Sequence, residues 1–485
     1  MGLITRVFSD SSYSGIRIVV TTVKGIIMIP IITNLLGADS YGIWSTLLAF
    51  VVLFSTTGSV HLDGALIRFS TNQNKEQTYS DILIITLILA SSISSLVFIL
   101  GIVFEPNTLF NGSNNINSNF ELTIVTALLI FSEIIYRVNV NFPRALGEVK
   151  LYELIRSGRA ILEIIFVSII FIYGRNIILG LLSIISILIF IDVLIIIYAL
   201  LKYDLPPPEL RNFSKYIRYG VPMVPNAISN ELIKSADKYM ILYLISPTAV
   251  GIYSVAYSIC SSLTKFSTIL NPTLYPTVSK EWDDGNIIEL KRLYKTVFRY
   301  YIIISVPAFF GLTILSQEVI TVFSTGEIAQ RANTIVPILA FGFLIRGLDN
   351  PLEYILTSSK KTGHIAKATG LSAISNLLLN FVFIKIFGIL GAAFASTLSH
   401  IIAFYLIYKY SHRQFKFDIP VETVFQSIFS GSIMVIGLYL IPFEFSPIIS
   451  TVILPPVGAI IYFVFLYIIG GVNRQDINYI VTHIS

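Results

Sequence analysis

Apolar segments separated by short polar connections recur along almost the whole chain. Each is long enough to cross about 30 Å of hydrocarbon as a helix. Because backbone groups in lipid must be hydrogen-bonded within their own segment, this pattern predicts an all-α polytopic membrane protein. The pattern indicates fourteen spans, over residues 13–36, 41–60, 80–104, 120–141, 151–173, 177–201, 217–245, 249–272, 296–316, 334–357, 365–386, 390–408, 421–441 and 447–470.

The basic residues of the connections fall almost entirely in alternate loops. One set, which includes both terminal segments, carries 20 lysines and arginines, whereas the other carries Arg175, Arg331 and Lys385. Cytoplasmic loops of membrane proteins keep an excess of Lys and Arg. We therefore expect both termini to be cytoplasmic and the loops at 105–119 and 317–333 to be external.

The composition narrows the class of protein. The chain is 54% hydrophobic and 13% charged, against about 25% charged residues in soluble domains. Its net charge of +5 comes from short loops beside apolar spans, which indicates membrane orientation rather than nucleic-acid binding. One cysteine excludes an intrachain disulfide, and the histidines show no metal-ligand spacing. A glycine-rich phosphate loop and a zinc motif are both missing from the sequence, so we expect a transporter without a cofactor rather than an enzyme.

An internal repeat suggests two similar halves. Residues 35–45 read LLGADSYGIWS and residues 244–254 read LISPTAVGIYS, which aligns Gly42 with Gly251. Six spans precede the linker that contains Pro206, Pro207 and Pro208, so both halves would share one orientation, as in transporters built from parallel repeats. We predict a six-helix lobe at 1–205, a second at 206–411, and two further helices with a cytoplasmic tail at 412–485.

Charged residues inside the predicted spans are the candidates for a substrate site. Such residues are costly in lipid and usually face a cavity or a partner. Cations on one helical face would attract phosphate or carboxylate. The alternative is local pairing that only holds the bundle together, as in Glu133 with Arg137 or Arg346 with Asp349 and Glu353. The proposed lining cations are Arg17, Lys24, Arg137, Lys234, Lys238, Lys265 and Arg346.

Prolines interrupt the spans that begin the two halves. Pro30 lies in the first span, and Pro222 and Pro225 lie in the seventh. Interrupted helices at corresponding positions of two repeats are typical of moving elements that line a transport site. We predict that these prolines act as hinges, the alternative being static kinks.

Three stretches carry a resemblance to a known family. They are the segment around 34–44, the segment from Ser235 through Tyr257, and residues 376–380 with 387–393. Together they resemble the polysaccharide-transporter proteins, which include O-antigen-unit flippases, of the multidrug/oligosaccharidyl-lipid/polysaccharide exporter superfamily. The resemblance covers most of residues 1–411. It implies two six-helix lobes, a cationic cavity and alternating access, with a polyprenyl-diphosphate-linked oligosaccharide moved from the inner to the outer leaflet of a prokaryotic cytoplasmic membrane.

The resemblance also implies a possible coupling-ion site. Related peptidoglycan-precursor flippases hold Na⁺ with an acid of the seventh span and polar residues of the eleventh and twelfth. Asp237, Asn376, Asn380 and Thr397 fall in similar places here. Asn380 departs from that pattern because a carboxylate can stand there, and Lys234 or Lys238 would compete for Asp237. Na⁺ or H⁺ therefore remain alternative coupling ions.

Two other functions are open at this point. A multidrug exporter of the same superfamily would use acidic cavity residues, whereas the first span carries Arg17 and Lys24. A membrane glycan polymerase or ligase would need a sizeable external catalytic loop, and the longest loops have about 20 residues. We expect the partners to be the lipid-linked oligosaccharide and membrane lipid, together with polymerases or glycosyltransferases of glycan biosynthesis, and no nucleic acid.

Overall fold

The computed structural model describes residues 3–70, 75–103, 119–268, 271–441 and 446–472, and within these ranges the chain forms helices and turns with no strand. Most of the expected external loop at 105–119 and the tail with Arg474 lie outside the described residues. The helices are α1 (Leu3–Gly58), α2 (Leu62–Phe69), α3 (Lys75–Val103), α4 (Asn119–Asn139), α5 (Asn141–Ala145), α6 (Val149–Gly174), α7 (Ile177–Lys202), α8 (Phe213–Gly220), α9 (Val224–Leu244), α10 (Pro247–Ser261), α11 (Lys265–Thr268), α12 (Asn271–Asp283), α13 (Ile287–Ile314), α14 (Ser316–Phe323), α15 (Gly326–Ala332), α16 (Val336–Arg346), α17 (Asp349–Ser358), α18 (Thr362–Phe387), α19 (Ile389–Gln414), α20 (Val421–Tyr439) and α21 (Pro447–Ile468).

The all-α membrane fold predicted from the sequence is confirmed. Among the described residues, nine helices are long and apolar enough to cross a membrane, or ten if a pair bent by 66° at 326–358 counts as one span. Helix α1 is one of the nine although it contains two predicted spans. Helices α6 and α9, which are not among the nine, carry five and four charged residues respectively. The count of fourteen stays a prediction.

Only one of the two proline-containing spans is interrupted at its prolines in the described residues. In α1 the helical conformation is interrupted at Gly37, where φ is +86°, whereas Pro30 lies inside the continuous helix before it. Glycine adopts positive φ at little cost, so it suits this bend. Pro222 lies in a 3₁₀ turn at Val221–Met223, and Pro225 in the first turn of α9, so both separate α8 from α9. The hinge role of all three prolines stays a prediction.

The contacts divide the chain into two compact units, Met1–Gly251 and Ile252–Ser485. The first unit has a core in which Leu62, Tyr79 and Phe142 are fully buried. The second has one core around Tyr294 and Leu352 and another around Tyr462. The lobe boundaries at residues 205 and 411 rest on the repeat and the linker, and they stay predictions.

Apolar side chains cover the outside of the long helices. On α7, Ile189, Phe190, Val193, Leu194 and Ile197 are all exposed. A face of this kind would be unfavourable in water but suits hydrocarbon, where the backbone polar groups are already satisfied within the helix. Ser183 and Asp192 of α7 are buried.

The two copies of the repeated segment meet within the first unit. A Cβ atom added at Gly42 would overlap the carbonyl oxygen of Pro247, and one added at Gly251 would overlap that of Ala38. The side chains of Asp39 and Thr248 are hydrogen-bonded between these points. The contacts are reciprocal at one constant offset, as expected where two equivalent segments cross about a twofold axis.

Candidate functional site

A polar cavity of about 360 Å³ lies among the helices of the first unit. Side chains from α1, α2, α4, α5 and α6 surround it. Five of them are lysine or arginine and two are acidic, so the cavity has an excess of positive charge. The lining residues are Thr21, Lys24, Asp63, Glu133, Tyr136, Arg137, Val140, Asn141, Arg144, Tyr152, Arg156, Arg159 and Ala160.

Arg159 is the centre of the charge network beside the cavity. Its two terminal nitrogens donate to both carboxylate oxygens of Glu133, at 3.0 and 2.7 Å, and its Nε donates to Glu163 at 2.6 Å. The guanidinium also lies 4.3 Å from the ring centroid of Tyr136. A planar fork that uses three nitrogens on two carboxylates is a contact that lysine cannot reproduce. Arg159 therefore fixes α6 against α4.

The two cations predicted on the first span both pair with acids of α6. Lys24 donates to Glu163, and the Nε of Arg17 donates to Glu153 at 2.6 Å. Lys24 also lines the cavity. The spacing of Arg17, Thr21 and Lys24 predicted that they share a helical face, and that face packs on α6. Glu163 is shared between Lys24 and Arg159, so α1, α6 and α4 are joined by one chain of charges.

Three arginines of the cavity are not neutralised. Within the described ranges, no carboxylate forms an ion pair with Arg137, Arg144 or Arg156. In the same part of the chain, the buried Nε of Arg137 has no hydrogen-bond partner. Guanidinium groups left without an acid beside a polar cavity are suited to bind an anion such as a phosphate.

Tyr152 organises two of these arginines. Its hydroxyl accepts a hydrogen bond of 2.6 Å from Arg156. The guanidinium carbons of Arg156 and Arg144 lie 5.2 and 5.4 Å from the centroid of its ring, a distance at which a cation is attracted to an aromatic face. Tyr152 thereby holds two positive charges at one wall of the cavity without neutralising them.

The connection between α5 and α6 is fixed to the end of α7. Glu148 accepts hydrogen bonds from Lys202 and Tyr198, each of 2.5 Å. Partial burial acts to raise the pKa of the Glu148 carboxyl, but the hydrogen bonds from Lys202 and Tyr198 outweigh it and hold that pKa below its usual value. This contact keeps the short segment that carries Arg144 beside α7.

The structure pairs some predicted residues differently. Glu133 pairs with Arg159, not with Arg137 four residues along its own helix. On α9, Lys234 pairs with Glu231 at 2.9 Å, whereas spacing alone allowed it to reach Asp237. Lys238 and Asp237 also lie on α9, where Asp237 is buried. Among the described residues, α9 contributes no side chain to this cavity.

The remaining predicted residues belong to the second unit. On α18, the Asn380 amide donates to the side-chain oxygen of Asn376 at 3.0 Å. Thr397 of α19 donates to the carbonyl of Ile338 at 2.8 Å. The coupling-ion site that would unite these three with Asp237 stays a prediction.

Two of the predicted cations lie in the second unit. They are Lys265, on α11, and Arg346, at the end of α16. In the described part of that unit, no ion pair joins Arg346 to Asp349 or Glu353. Arg346 nevertheless lies within electrostatic range of both carboxyl groups. Their role in substrate binding stays a prediction.

Sequence reasoning missed the most densely connected residues of the cavity. The lining cations predicted from the sequence do not include Arg144, Arg156 or Arg159. A signal was present, because Arg156, Arg159 and Glu163 recur at i, i+3 and i+7 and therefore lie on one face of α6. A search for charged helical faces in every span would have found it.

Comparison with known protein families gives two matches. The family described as "Polysaccharide biosynthesis protein" matches residues 8–282, which is more than half of the chain. The family described as MatE matches residues 222–382. All the lining residues of the cavity fall within the first match.

Individual proteins are similar over different lengths. The "Probable low-salt glycan biosynthesis flippase Agl15" of Haloferax volcanii is 26% identical over 196 residues, which is 40% of this chain and 41% of that protein. The chain therefore spans less than half the length of that relative. The "Uncharacterized membrane protein MJ1068" of Methanocaldococcus jannaschii is 25% identical over 464 residues, 90% of this chain and 89% of its own.

A solved structure shares the fold over nearly the full length. The lipid II flippase MurJ in its inward closed conformation superposes with a TM-score of 0.74 and 15% sequence identity. The superposition covers 95% of this chain and 98% of that one. At this identity the likeness shows the fold, and the fold is that of a polytopic helical membrane protein.

Proposed function

We propose, from the premise that the chain belongs to the family of polysaccharide biosynthesis proteins, that it is a flippase for a lipid-linked glycan. The observation that carries the proposal is the set of three arginines, Arg137, Arg144 and Arg156, that face a polar cavity with no carboxylate partner among the described residues. The names of Agl15 and of the structural neighbour support the same activity. The protein is then a transporter and not an enzyme.

The substrate we propose is an oligosaccharide on a polyprenyl diphosphate. A diphosphate-sugar headgroup cannot pass through hydrocarbon unless its charges are compensated. Arginine binds phosphate oxygens with two parallel hydrogen bonds, and Tyr152 holds two arginines at one wall of the cavity. The lipid tail can remain in the bilayer while the headgroup occupies the cavity.

Direction and membrane are part of the proposal. The excess of basic residues in alternate loops supports cytoplasmic termini in a cytoplasmic membrane. Alternating access would then carry the headgroup from the inner to the outer leaflet. Na⁺ at Asp237, Asn376, Asn380 and Thr397, or H⁺, would supply the driving force.

The competing assignment is a multidrug exporter. The observation in its favour is the match to the MatE family over residues 222–382. Charge argues against it, because five cations and two acids line the cavity of the first unit. Such a cavity would repel a cationic drug and attract a diphosphate.

A reconstitution assay tests the function. Purified protein in proteoliposomes that contain a fluorescent polyprenyl-diphosphate oligosaccharide should make the headgroups of the inner leaflet accessible to an impermeant quencher. Protein-free liposomes should keep that population protected. If the proteoliposomes protect it equally well but extrude a cationic dye, the flippase assignment is wrong and the exporter is favoured.

Replacement of Lys24 tests the cavity in the same assay. Lys24→Ala should slow headgroup movement by about tenfold to a hundredfold, because a hydrogen bond between charged groups contributes about 1.5–3 kcal/mol. Lys24→Arg should be milder, since it keeps the charge and changes the geometry. Lys385→Ala, which alters a lysine 3.9 Å from the ring centroid of Phe381 on α18, is the matched control. If Lys24→Ala moves headgroups at the wild-type rate and is expressed normally, Lys24 is not part of the substrate site.

A further inference from the structure

A buried polar cluster lies between α3, α4 and α7 of the first unit. Tyr79, Asn139 and Asp192 form it, and their exposed fractions are 1%, 1% and 6%. The Tyr79 hydroxyl donates to the side-chain oxygen of Asn139. The Asn139 amide in turn donates to the Asp192 carboxylate at 2.9 Å and to the Asp192 backbone carbonyl at 3.3 Å.

Asp192 differs in its partners from Glu133, Glu153 and Glu163 of the neighbouring helices. Glu133, Glu153 and Glu163 each form an ion pair with lysine or arginine. In the described ranges no cation pairs with Asp192, and its hydrogen-bond donor is a neutral amide. A buried carboxyl group in such surroundings is far less costly in its protonated form, since an isolated buried charge is strongly unfavourable.

Charged groups of neighbouring helices also act on Asp192. Glu133 of α4 and Arg159 of α6 are within electrostatic range, and Tyr79 faces the same amide from α3. Glu133 and Arg159 are bound to each other, so their opposite charges partly offset at Asp192. On α7 itself, Tyr198 and Lys202 are engaged with Glu148. Burial is therefore the largest influence on the protonation of Asp192, and the hydrogen bond from Asn139 is the next.

We propose that Asp192 is the proton-binding group of this transporter, with Asn139 and Tyr79 as its hydrogen-bonded partners; the coupling of that proton to transport rests on the flippase function proposed above. One proton from water adds to a carboxylate oxygen and later returns to water, and no other bond changes. The ligand that we assign to this site is H⁺.

The position of Asn139 shows how the proton would reach the cavity. Asn139 ends α4, and the next residues, Val140 and Asn141, line the cavity together with Arg137 two residues before it. The ionised carboxylate holds the amide of Asn139 by a charge-assisted bond, which is about twice as strong as a neutral one. Protonation weakens that bond and releases the end of α4 from α7. The wall that carries Arg137 can then move.

Infrared difference spectroscopy of purified protein in nanodiscs tests the proton site without any substrate. Titration between about pH 5 and about pH 9 should show the carbonyl stretch of a protonated carboxyl group, and Asp192→Asn should lack this band. Asn139→Leu should move its midpoint to higher pH by about one to two units, because the donor to the carboxylate is lost. An unchanged band in Asp192→Asn, or an unmoved midpoint in Asn139→Leu, would overturn the assignment.

Asp81→Asn is the matched control. Asp81 is equally buried at 2% exposure, but its carboxylate accepts from four donors, on Gln77, Glu209, Asn212 and Tyr216. These donors distinguish it from Asp192, whose carboxylate accepts from the amide of Asn139. The spectrum of Asp81→Asn should keep the band of the wild type.

Headgroup movement in proteoliposomes then tests whether the proton site is coupled to transport. The wild-type rate should change with an imposed pH gradient, and Asp192→Asn should lose that response while Asp81→Asn keeps it. If the wild type moves headgroups but Asp192→Asn responds to the gradient as the wild type does, proton coupling at Asp192 is wrong and the flippase stands. If the infrared band is assigned to Asp192 but no headgroup moves, the proton site stands and the flippase fails.

Discussion

Arg159→Gln is expected to destabilise the protein by about 3–5 kcal/mol, the cost of removing one partner from a buried ion pair. Arg159 is the common partner of Glu133 and Glu163. Without it, Glu133 has lost its cation and only Lys24 remains beside Glu163. The midpoint of thermal unfolding in detergent should fall, and headgroup movement should be lost.

Two further variants test whether the loss of stability in Arg159→Gln comes from its buried ion pairs. Arg159→Gln combined with Glu133→Gln should recover part of the lost stability, because the uncompensated carboxylate is also removed. Arg292→Gln, which breaks an exposed pair with Glu289 at 3.1 Å, should change stability by about 1 kcal/mol or less. An unfolding midpoint for Arg159→Gln equal to that of Arg292→Gln would show that the network does not hold the helices together.

Gly42→Ala is expected to destabilise the crossing of the repeated segments by about 1–3 kcal/mol, the usual cost of overpacking. The added Cβ would overlap the Pro247 carbonyl, which is backbone and cannot rotate away. Alanine gains about 1 kcal/mol over glycine in helix propensity, so the observed loss is net of that gain. Gly251→Ala should lose a similar amount of stability, because its Cβ would overlap the carbonyl oxygen of Ala38 in the equivalent contact.

The control for this pair is a glycine in open space. Gly370 lies in α18 with nothing within 4 Å of an added Cβ, so Gly370→Ala should be neutral or stabilising in the same unfolding assay. The double variant of Gly42 and Gly251 should lose less than the sum of the single losses, since the first substitution already separates the two segments. Strict additivity, or stabilisation by Gly42→Ala, would contradict the close crossing.

The helices and the kind of protein could be predicted from the sequence. Long apolar segments with basic residues in alternate loops allow few arrangements other than a helical membrane protein, because only helices satisfy the backbone in lipid without pairing to other strands. Within the described residues, each predicted span overlaps one or more helices. The motifs around Gly42 and Gly251 predicted the family that the match over residues 8–282 shows.

The partners of the charged residues were decided by the tertiary structure. Helical spacing placed Lys24 on a face of α1, but its partner Glu163 lies 139 residues away. Spacing within one helix suggested Glu133 with Arg137, whereas Glu133 binds Arg159 across 26 residues. Periodicity defines which side of a helix a residue occupies, and only packing decides which neighbouring helix that side meets.

For both sites proposed in this protein, the sequence and the tertiary structure determined different things. The sequence by itself determined that cations and acids lie inside membrane helices, where each must have a partner or a cavity. The tertiary structure decided that Arg137, Arg144 and Arg156 share a cavity in which, among the described residues, no carboxylate pairs with them. It also decided that the side-chain donor to the Asp192 carboxylate there is a neutral amide. The energy of a buried charge depends on the groups within a few ångströms of it, and those groups come from distant parts of the chain.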